Sequence, residues 1–75
     1  MSNLPALKPK ALLSILQRLG WKITRQKGSH IQLKYDSKPG LRITIPYHNY
    51  DLAPGIINSI IKQMGITKND FEKLL

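Results

Sequence analysis

The amino-acid sequence predicts an α+β fold, a two-layer sandwich in which helices pack on one face of an antiparallel three-stranded sheet. Apolar residues recur at helical spacing near both ends of the chain and alternate with polar residues in the middle. The connections between the alternating segments are short, which favours antiparallel neighbours. A chain of 75 residues has room for one small core. Its composition shows no boundary, so we expect a single domain over residues 1–75.

The first helix is predicted to begin at Pro9, because proline is well tolerated in the first turn of a helix. The apolar residues that follow have the spacing of one helical face: Leu12, Ile15, Leu16 and Leu19. We expect this face to enter the core and Gly20 to end the helix. Residues 1–7 are expected to form a loose start to the chain.

Beyond Gly20 the hydrophobic period changes from helical to alternating. The apolar positions that share one face of the predicted sheet are Trp21 and Ile23, then Ile31, Leu33 and Tyr35, then Leu41, Ile43 and Ile45. Trp21 and Tyr35 are therefore expected in the core and not as platforms for stacked bases. Residues 36–40 are expected to form the loop between the second and third strands, and Pro46 is expected to end the third.

The first hairpin is constrained by the side chains that must face the core. Residues directly opposite each other in an antiparallel pair share a face, so placing Ile23 and Ile31 together requires an odd number of loop residues. A three-residue loop over residues 26–28 meets this condition. We expect Gly28 to adopt the left-handed conformation that such loops use.

The last third of the chain is predicted to contain two helices. The first begins at Pro54 and ends at Gly65. Its buried stripe is expected to be Ile57, Ile60, Ile61 and Met64. Thr67 and Asp70 are spaced as in a capping box, which predicts a short final helix. The buried residues of that helix are expected to be Phe71 and Leu74.

Charge is unevenly distributed along the chain. Twelve Lys and Arg residues stand against four Asp and Glu residues, which gives a formal net charge of +8. Nine of the twelve basic residues, but only one of the four acidic residues, precede Ile43. Such asymmetry indicates a polyanionic partner, either a nucleic acid or an acidic protein surface.

The composition argues against several kinds of site and environment. The chain contains no cysteine, so it has no disulfide and no thiolate metal site. Four scattered acidic residues and two histidines offer no convincing cluster for Mg²⁺ or Zn²⁺. No apolar stretch approaches the roughly 20 residues that span a bilayer, and the first residues do not resemble a secretory signal. We therefore expect a cytoplasmic protein that is not bound to a membrane and needs no metal or other cofactor.

The candidate functional site lies at Gly28, Ser29 and His30, which follow a basic segment. In the register with a three-residue loop, Ser29 begins the second strand and His30 lies opposite Thr24 on the open face of the sheet. The cations expected near this surface are Lys22, Arg25, Lys27, Lys34 and Arg42. Backbone N–H groups at a glycine turn, together with an imidazole and several cations, are suited to bind a phosphate.

Several segments of the chain are similar to the HicA family of bacterial toxins. They are Gly20-Trp21, the Arg-Gln-Lys-Gly-Ser-His run over residues 25–30, Ile45-Pro46 with His48, and residues 55–66. The resemblance extends from about Lys10 to Leu75. It implies a small ribonuclease toxin with a fold like that of double-stranded-RNA-binding domains, acting on messenger RNA with His30 as its catalytic residue. It also implies a HicB-type antitoxin that covers the site, and we expect the free toxin to be a monomer.

Cleavage of RNA needs three contributions from such a site. The 2′-hydroxyl of RNA is the nucleophile, so the protein must supply a base for its proton, a donor for the leaving 5′-oxygen, and positive charge near the phosphate. Imidazole suits the first task at cellular pH, which favours His30 as general base. The candidates for the third are Lys22, Arg25, Lys27, Lys34 and Arg42, with backbone N–H groups around Gly28 and Ser29.

Other roles and functions are consistent with the same residues. His48 is either a second acid or base, or a loop residue whose ring hydrogen-bonds the backbone, and we favour the loop role. Tyr47 and Tyr50 either stack on bases or contact an antitoxin. The alternative function is a non-catalytic RNA-binding module in which His30 only contacts RNA. A third function is an adaptor whose basic face binds an acidic protein.

Overall fold

The change of hydrophobic period along the chain is reproduced in the order of its elements. The computed structural model describes residues 6–75. Its elements are α1 (Pro9–Arg18), β1 (Trp21–Lys27), β2 (His30–Tyr35), β3 (Lys38–Pro46), α2 (Pro54–Met64) and α3 (Lys68–Glu72). The strands form one antiparallel sheet in the order β1-β2-β3. The predicted α+β two-layer fold, with the element order of double-stranded-RNA-binding domains, is confirmed.

The core lies between the helices and one face of the sheet. The sheet contributes Ile31, Leu33, Ile43 and Ile45, and the helices contribute Leu12, Leu16, Ile57, Ile60, Ile61, Met64 and Phe71. The side chains that alternate with these along β2 are exposed or half-buried. One face of the sheet is therefore covered by the helices, and the side chains of the other face remain accessible.

Helix α1 begins at Pro9, as predicted, and buries Leu12, Ile15 and Leu16. Leu19, by contrast, is 38% exposed, so its predicted place in the core is wrong. The helix ends at Arg18, and Gly20, with φ of 106°, turns the chain into β1. This turn leaves Leu19 at the rim of the core because the packed stripe stops one turn earlier.

The segment before α1 is only partly described. Residues 1–5 of the expected loose start lie outside the described residues. Leu7, however, is buried in the core, and its carbonyl oxygen accepts a hydrogen bond of 2.8 Å from the N–H of Leu52. Including Leu7 in a loose start was therefore wrong, because its backbone and side chain are both held against the connection before α2.

The first hairpin differs from the predicted register. Its turn consists of Gly28 and Ser29 alone, so Ser29 does not begin β2. The pairing is irregular between Ile23 and Arg25, where one extra residue forms a β-bulge. A two-residue turn with a bulge keeps the apolar residues on one face, just as a three-residue loop would. The left-handed conformation predicted for Gly28 is confirmed, with φ of 56°.

Ile23 shows the limit of the alternating pattern in β1. It lies opposite Leu33, which is buried, yet Ile23 itself is 42% exposed. In this strand only Trp21 is buried. Because β1 is an edge strand and the helical layer does not cover it beyond its first residue, the expected core position of Ile23 is wrong.

The second connection is also shorter than predicted. Only residues 36 and 37 form the turn, and β3 already begins at Lys38. The register shifts within this hairpin, since Tyr35 pairs with Lys38 while Lys34 pairs with Arg42. Three residues of β3 thus take up the slack that we expected to find in a five-residue loop. Leu41, which follows them, was expected in the core but is only half-buried.

The C-terminal helices agree with the predictions except at Leu74, which lies beyond the end of α3 and is only half-buried, whereas Phe71 is buried as expected. Helix α2 runs from Pro54 and ends at Gly65, which has φ of 74°. Its buried residues are Ile57, Ile60, Ile61 and Met64. Thr67 caps α3, since its Oγ1 accepts a hydrogen bond of 3.1 Å from the N–H of Asp70. Among residues 6–75 no helix is long and apolar enough to cross a membrane.

Candidate functional site

The open face of the sheet is built from three rows of directly opposite residues. From the first hairpin turn towards the second, these rows are Lys27, His30 and Pro46; Arg25, Gln32 and Thr44; and Lys22, Lys34 and Arg42. Residues that pair across antiparallel strands share a face. All five predicted cations therefore lie on the same side of the sheet as His30. The prediction that His30 lies opposite Thr24 is wrong, because the bulge and the shorter turn place it opposite Lys27.

An open depression with a volume of about 610 Å³ lies at the end of this face nearest the first turn. We call it the His30 groove, and its lining residues are Arg25, Lys27, Gly28, Ser29, His30, Gln32 and Thr44. It brings together His30, the glycine turn and two of the predicted cations. The remaining cations, Lys22, Lys34 and Arg42, lie in the third row and do not line it.

Gln32 and Thr44 belong to the groove although we did not select them from the sequence. Both are half-buried and occupy the second row, directly across from each other. Thr44 is also anchored through its backbone, whose N–H donates a hydrogen bond of 2.9 Å to Oε1 of Gln63 on α2. The alternating pattern already placed both residues on the open face. Their side chains carry neither a charge nor an imidazole, which are the features that distinguish the predicted site residues.

His30 is positioned by the turn before it and by the end of β3. It is exposed, and it pairs with Lys27 on one side and Pro46 on the other. The N–H of Tyr47 donates a hydrogen bond to the carbonyl oxygen of Ser29, which ties the turn to the chain leaving β3. A Cβ built on Gly28 would meet no atom within 4 Å. Glycine is therefore favoured at position 28 by its positive φ and not by lack of space.

The cations of the open face differ in how far they are already neutralised. Lys22 forms a salt bridge of 2.7 Å from its Nζ to Oδ2 of Asp36. The hydrogen bond to Asp36, and then the charge of that carboxylate, raise the pKa of Lys22 above its ordinary value. Within residues 6–75 no salt bridge engages the other four, which are Arg25, Lys27, Lys34 and Arg42. Among the five predicted phosphate contacts, Lys22 therefore differs in that Asp36 partly neutralises its charge.

His48 does not join the His30 groove. It lies two residues beyond Pro46 and lines a different cavity. Its Nδ1 is buried without a hydrogen-bond partner among the described residues, so this nitrogen does not make the hydrogen bond to the backbone that we expected of the ring. The ring instead stacks on Tyr50, with ring centroids 3.6 Å apart and planes 3° from parallel. Tyr50 is 64% exposed, whereas Tyr47 packs against the core.

The described part of the chain contains no cluster of metal-binding side chains. Residues 6–75 contain no group of three or more His, Cys, Asp or Glu side chains that could hold a metal ion. The chemistry available at the His30 groove is that of an imidazole, a guanidinium, an ammonium and uncharged hydrogen-bonding groups. These groups can bind a phosphodiester and move a proton beside it.

Comparison of the sequence with models of protein families identifies the family of the chain. The family model of the HicA toxin of bacterial toxin–antitoxin systems matches residues 9–66. This segment is more than half of the chain and contains every residue of the His30 groove. The matched segment ends one residue before Thr67, which caps α3. No curated protein matches the chain.

Proposed function

Because the chain belongs to the HicA toxin family of bacterial toxin–antitoxin systems, we propose that it is an endoribonuclease that cleaves messenger RNA in the cytoplasm. The observation that carries this proposal is the composition of the His30 groove. An exposed imidazole stands beside two cations and a glycine turn in one open depression. An open groove admits a flexible polyanionic strand more readily than an enclosed pocket would.

His30 acts as the general base in this proposal. It takes the proton of a ribose 2′-hydroxyl, the 2′-oxygen attacks phosphorus, and the bond from phosphorus to the 5′-oxygen breaks. The leaving oxygen takes up a proton from the imidazolium or from water. The products are a 2′,3′-cyclic phosphate and a 5′-hydroxyl end. No step requires a metal ion, since the nucleophile belongs to the substrate.

Arg25 and Lys27 meet the negative charge that develops on the phosphate. Lys27 lies directly opposite His30, and Arg25 lies in the next row. Both are exposed and have no salt bridge within the described chain, so neither has to leave a carboxylate to reach the substrate. Backbone N–H groups around Gly28 and Ser29 add uncharged donors to the same phosphate.

The third row of the open face holds the strand further from the cleaved bond. Lys34 and Arg42 are paired neighbours and offer two unneutralised cations to backbone phosphates. Lys22 completes the row and shares its charge with Asp36. Contacts of this kind contribute affinity without sequence preference. In this arrangement one part of the strand lies at His30 and another along the third row.

A HicB-type antitoxin blocks the groove in this proposal, and the toxin is a monomer when free. The net charge of +8 lies mainly in the part of the chain that forms the open face. A partner with an acidic surface would therefore compete with RNA for the same cations. Binding of the antitoxin and binding of RNA should exclude each other.

A second candidate function is a non-catalytic RNA-binding module with the same groove. One observation favours it: the imidazole of His30 makes no hydrogen bond to the residues within 6–75. Catalytic histidines are often oriented by a hydrogen bond from the second ring nitrogen. In such an RNA-binding module, His30 would contact the RNA without transferring a proton.

Expression in a bacterial host tests the toxin function. Induction of the wild-type protein should arrest growth and fragment messenger RNA, and co-expression of the antitoxin should relieve both effects. His30→Ala should abolish the arrest. The matched control is Gln26→Ala, since Gln26 lies opposite Ile31 on the other face of the same hairpin, and it should remain toxic. Arrest by His30→Ala at the same expression level would contradict cleavage as the cause.

A further inference from the structure

A second cavity lies where the chain leaves β3 and passes the start of α1. Its volume is about 430 Å³, and it is lined by Lys8, Lys10, Tyr47, His48 and Asn49. We call it the Lys8 cavity. None of its residues lines the His30 groove. It is therefore a separate depression, formed by two segments that are distant in the sequence.

The Lys8 cavity carries positive charge that no residue within 6–75 neutralises. Lys8 and Lys10 are exposed, and neither forms a salt bridge within residues 6–75. Helix α1 starts between them at Pro9, with no side-chain cap and no acidic residue in its first turn. The partial positive charge of the helix start adds to that of the two ammonium groups. The cavity is thus suited to an anion.

The other wall of the cavity offers polar groups without partners. The Nδ1 of His48 is buried and makes no hydrogen bond to the described residues. The ring itself stacks on the ring of Tyr50. Asn49 beside it is exposed. The side-chain amide of Asn49 can donate a hydrogen bond to an anion that the two lysines hold.

The cavity and the His30 groove meet at one junction of the backbone. His30 pairs with Pro46, and the next residue, Tyr47, donates its N–H to the carbonyl oxygen of Ser29. Ser29 lines the groove, and Tyr47 lines the cavity. The two depressions therefore adjoin along the backbone, on the side where the chain leaves β3.

We propose that the Lys8 cavity binds a backbone phosphate of the same RNA strand, at a nucleotide that flanks the bond cleaved at His30. This inference rests on the proposed function and adds a second anchoring point to it. The groove and the third row hold the strand on one side of the reacting phosphate, and the Lys8 cavity holds it on the other. The enzyme then favours substrates long enough to reach both.

Binding of an uncleavable strand tests this proposal. A fully 2′-O-methylated decanucleotide lacks the nucleophile, so its affinity for the complete protein can be measured by fluorescence anisotropy over a range of salt concentrations. Lys8→Gln with Lys10→Gln should weaken binding by roughly tenfold and lower the slope of log affinity against log salt by about 0.7 for one lost phosphate contact. Lys68→Gln with Lys73→Gln removes the same charge from α3 and should change the slope far less.

A second variant keeps the test independent of the helix start. Asn49→Asp introduces a negative charge at the cavity without altering α1, and it should weaken binding by a similar factor. The proposal is overturned if the Lys8 and Lys10 variant behaves like the α3 control, or if Asn49→Asp binds as tightly as the wild type. If the wild-type protein neither binds nor cuts RNA, the proposed function fails as well. Cleavage by the wild type with no effect of the cavity variants rejects the second site alone.

Discussion

His30 lies directly opposite Lys27 across the first hairpin, and only Gly28 and Ser29 separate them in the chain. This pairing places an imidazole beside an ammonium at the edge of an open groove. Because the two residues are joined by a two-residue turn, their relative position depends on the conformation of that turn. The glycine that allows the turn is therefore as important to the site as the charged side chains.

Replacing Gly28 should weaken both the fold and the activity. Its φ of 56° is strained for a residue with a side chain, so Gly28→Ala should lower the free energy of unfolding by about 1–2 kcal/mol. The same change should slow RNA cleavage, because relaxation of the turn moves His30 relative to Lys27. Urea unfolding and a cleavage assay measure the two effects.

Gly40→Ala is the control for that substitution. Gly40 lies in β3, has no positive φ, and has no atom within 4 Å of an added Cβ. It should therefore leave stability and cleavage nearly unchanged. Equal losses in the two variants would show that the left-handed turn has no special role.

Two isoleucines test the description of the edge strand. Ile31 is 3% exposed and Ile23 is 42% exposed, although both were expected on the core face. Ile31→Ala should cost about 2–5 kcal/mol in the free energy of unfolding, whereas Ile23→Ala should cost less than about 1 kcal/mol. Chemical denaturation of both variants provides the comparison. A cost for Ile23 as large as that for Ile31 would mean that the helical layer covers β1 after all.

Removing the carboxylate of Asp36 should free Lys22 for RNA. The pKa of Lys22 is raised by the hydrogen bond and charge of Asp36, so Asp36→Asn should lower it towards its ordinary value. NMR titration of the lysine side chain measures this change. The freed ammonium should also raise RNA affinity by roughly two- to fivefold. Asp70→Asn removes the same charge from α3 and should not raise affinity as much.

The same ion pair sets the sign of a small pH effect. A lysine whose pKa is higher in the folded state stabilises that state at pH values below the ordinary lysine pKa of 10.5. This contribution is lost as the pH rises through the raised value. Both side chains are about 70% exposed, so the effect on stability near neutral pH should be slight. A large loss of stability in Asp36→Asn at neutral pH would contradict this description.

Arg25 should contribute to catalysis more than to folding. It lines the His30 groove and forms no salt bridge within the described residues. Arg25→Gln should lower the cleavage rate of bound RNA by about tenfold to a hundredfold, because charge on the reacting phosphate is less well stabilised. Arg18→Gln, on α1, removes the same charge from the helical layer and should leave this rate unchanged. A matching loss in both variants would indicate a general effect of net charge.

The helices were the part of the fold most accessible to prediction. Helical periodicity specified the buried face of α2 correctly, and Pro54 and Gly65 marked its ends. The core role assigned to Leu19 failed because periodicity does not reveal where packing stops. Leu7 was missed for the converse reason, since its burial depends on a contact with Leu52 that is distant in sequence.

The requirement that apolar side chains share one face of the sheet does not determine the register of the first hairpin. An odd loop keeps Ile23 on the core side, but a two-residue turn with a bulge at Thr24 does so equally well. No residue type near Thr24 marks a bulge. Lys22, Lys34 and Arg42 lie on the open face in both registers. The bulge and the shorter turn change the partner of His30 and bring Arg25 and Lys27 onto that face as well. The sequence pattern placed Gln32 and Thr44 on the open face, but that they line the His30 groove depends on the three-dimensional shape of the surface.

The most direct test of the central claim is the single-turnover cleavage rate of RNA by purified protein in EDTA. The wild type should cut the RNA and leave 2′,3′-cyclic phosphate ends, which mass spectrometry identifies. His30→Ala should bind the same RNA but cut it about 10²- to 10⁴-fold more slowly, the usual contribution of a general base. Equal cleavage by the two proteins, or RNA left bound and uncut by both, would contradict the assignment of His30 as the catalytic base.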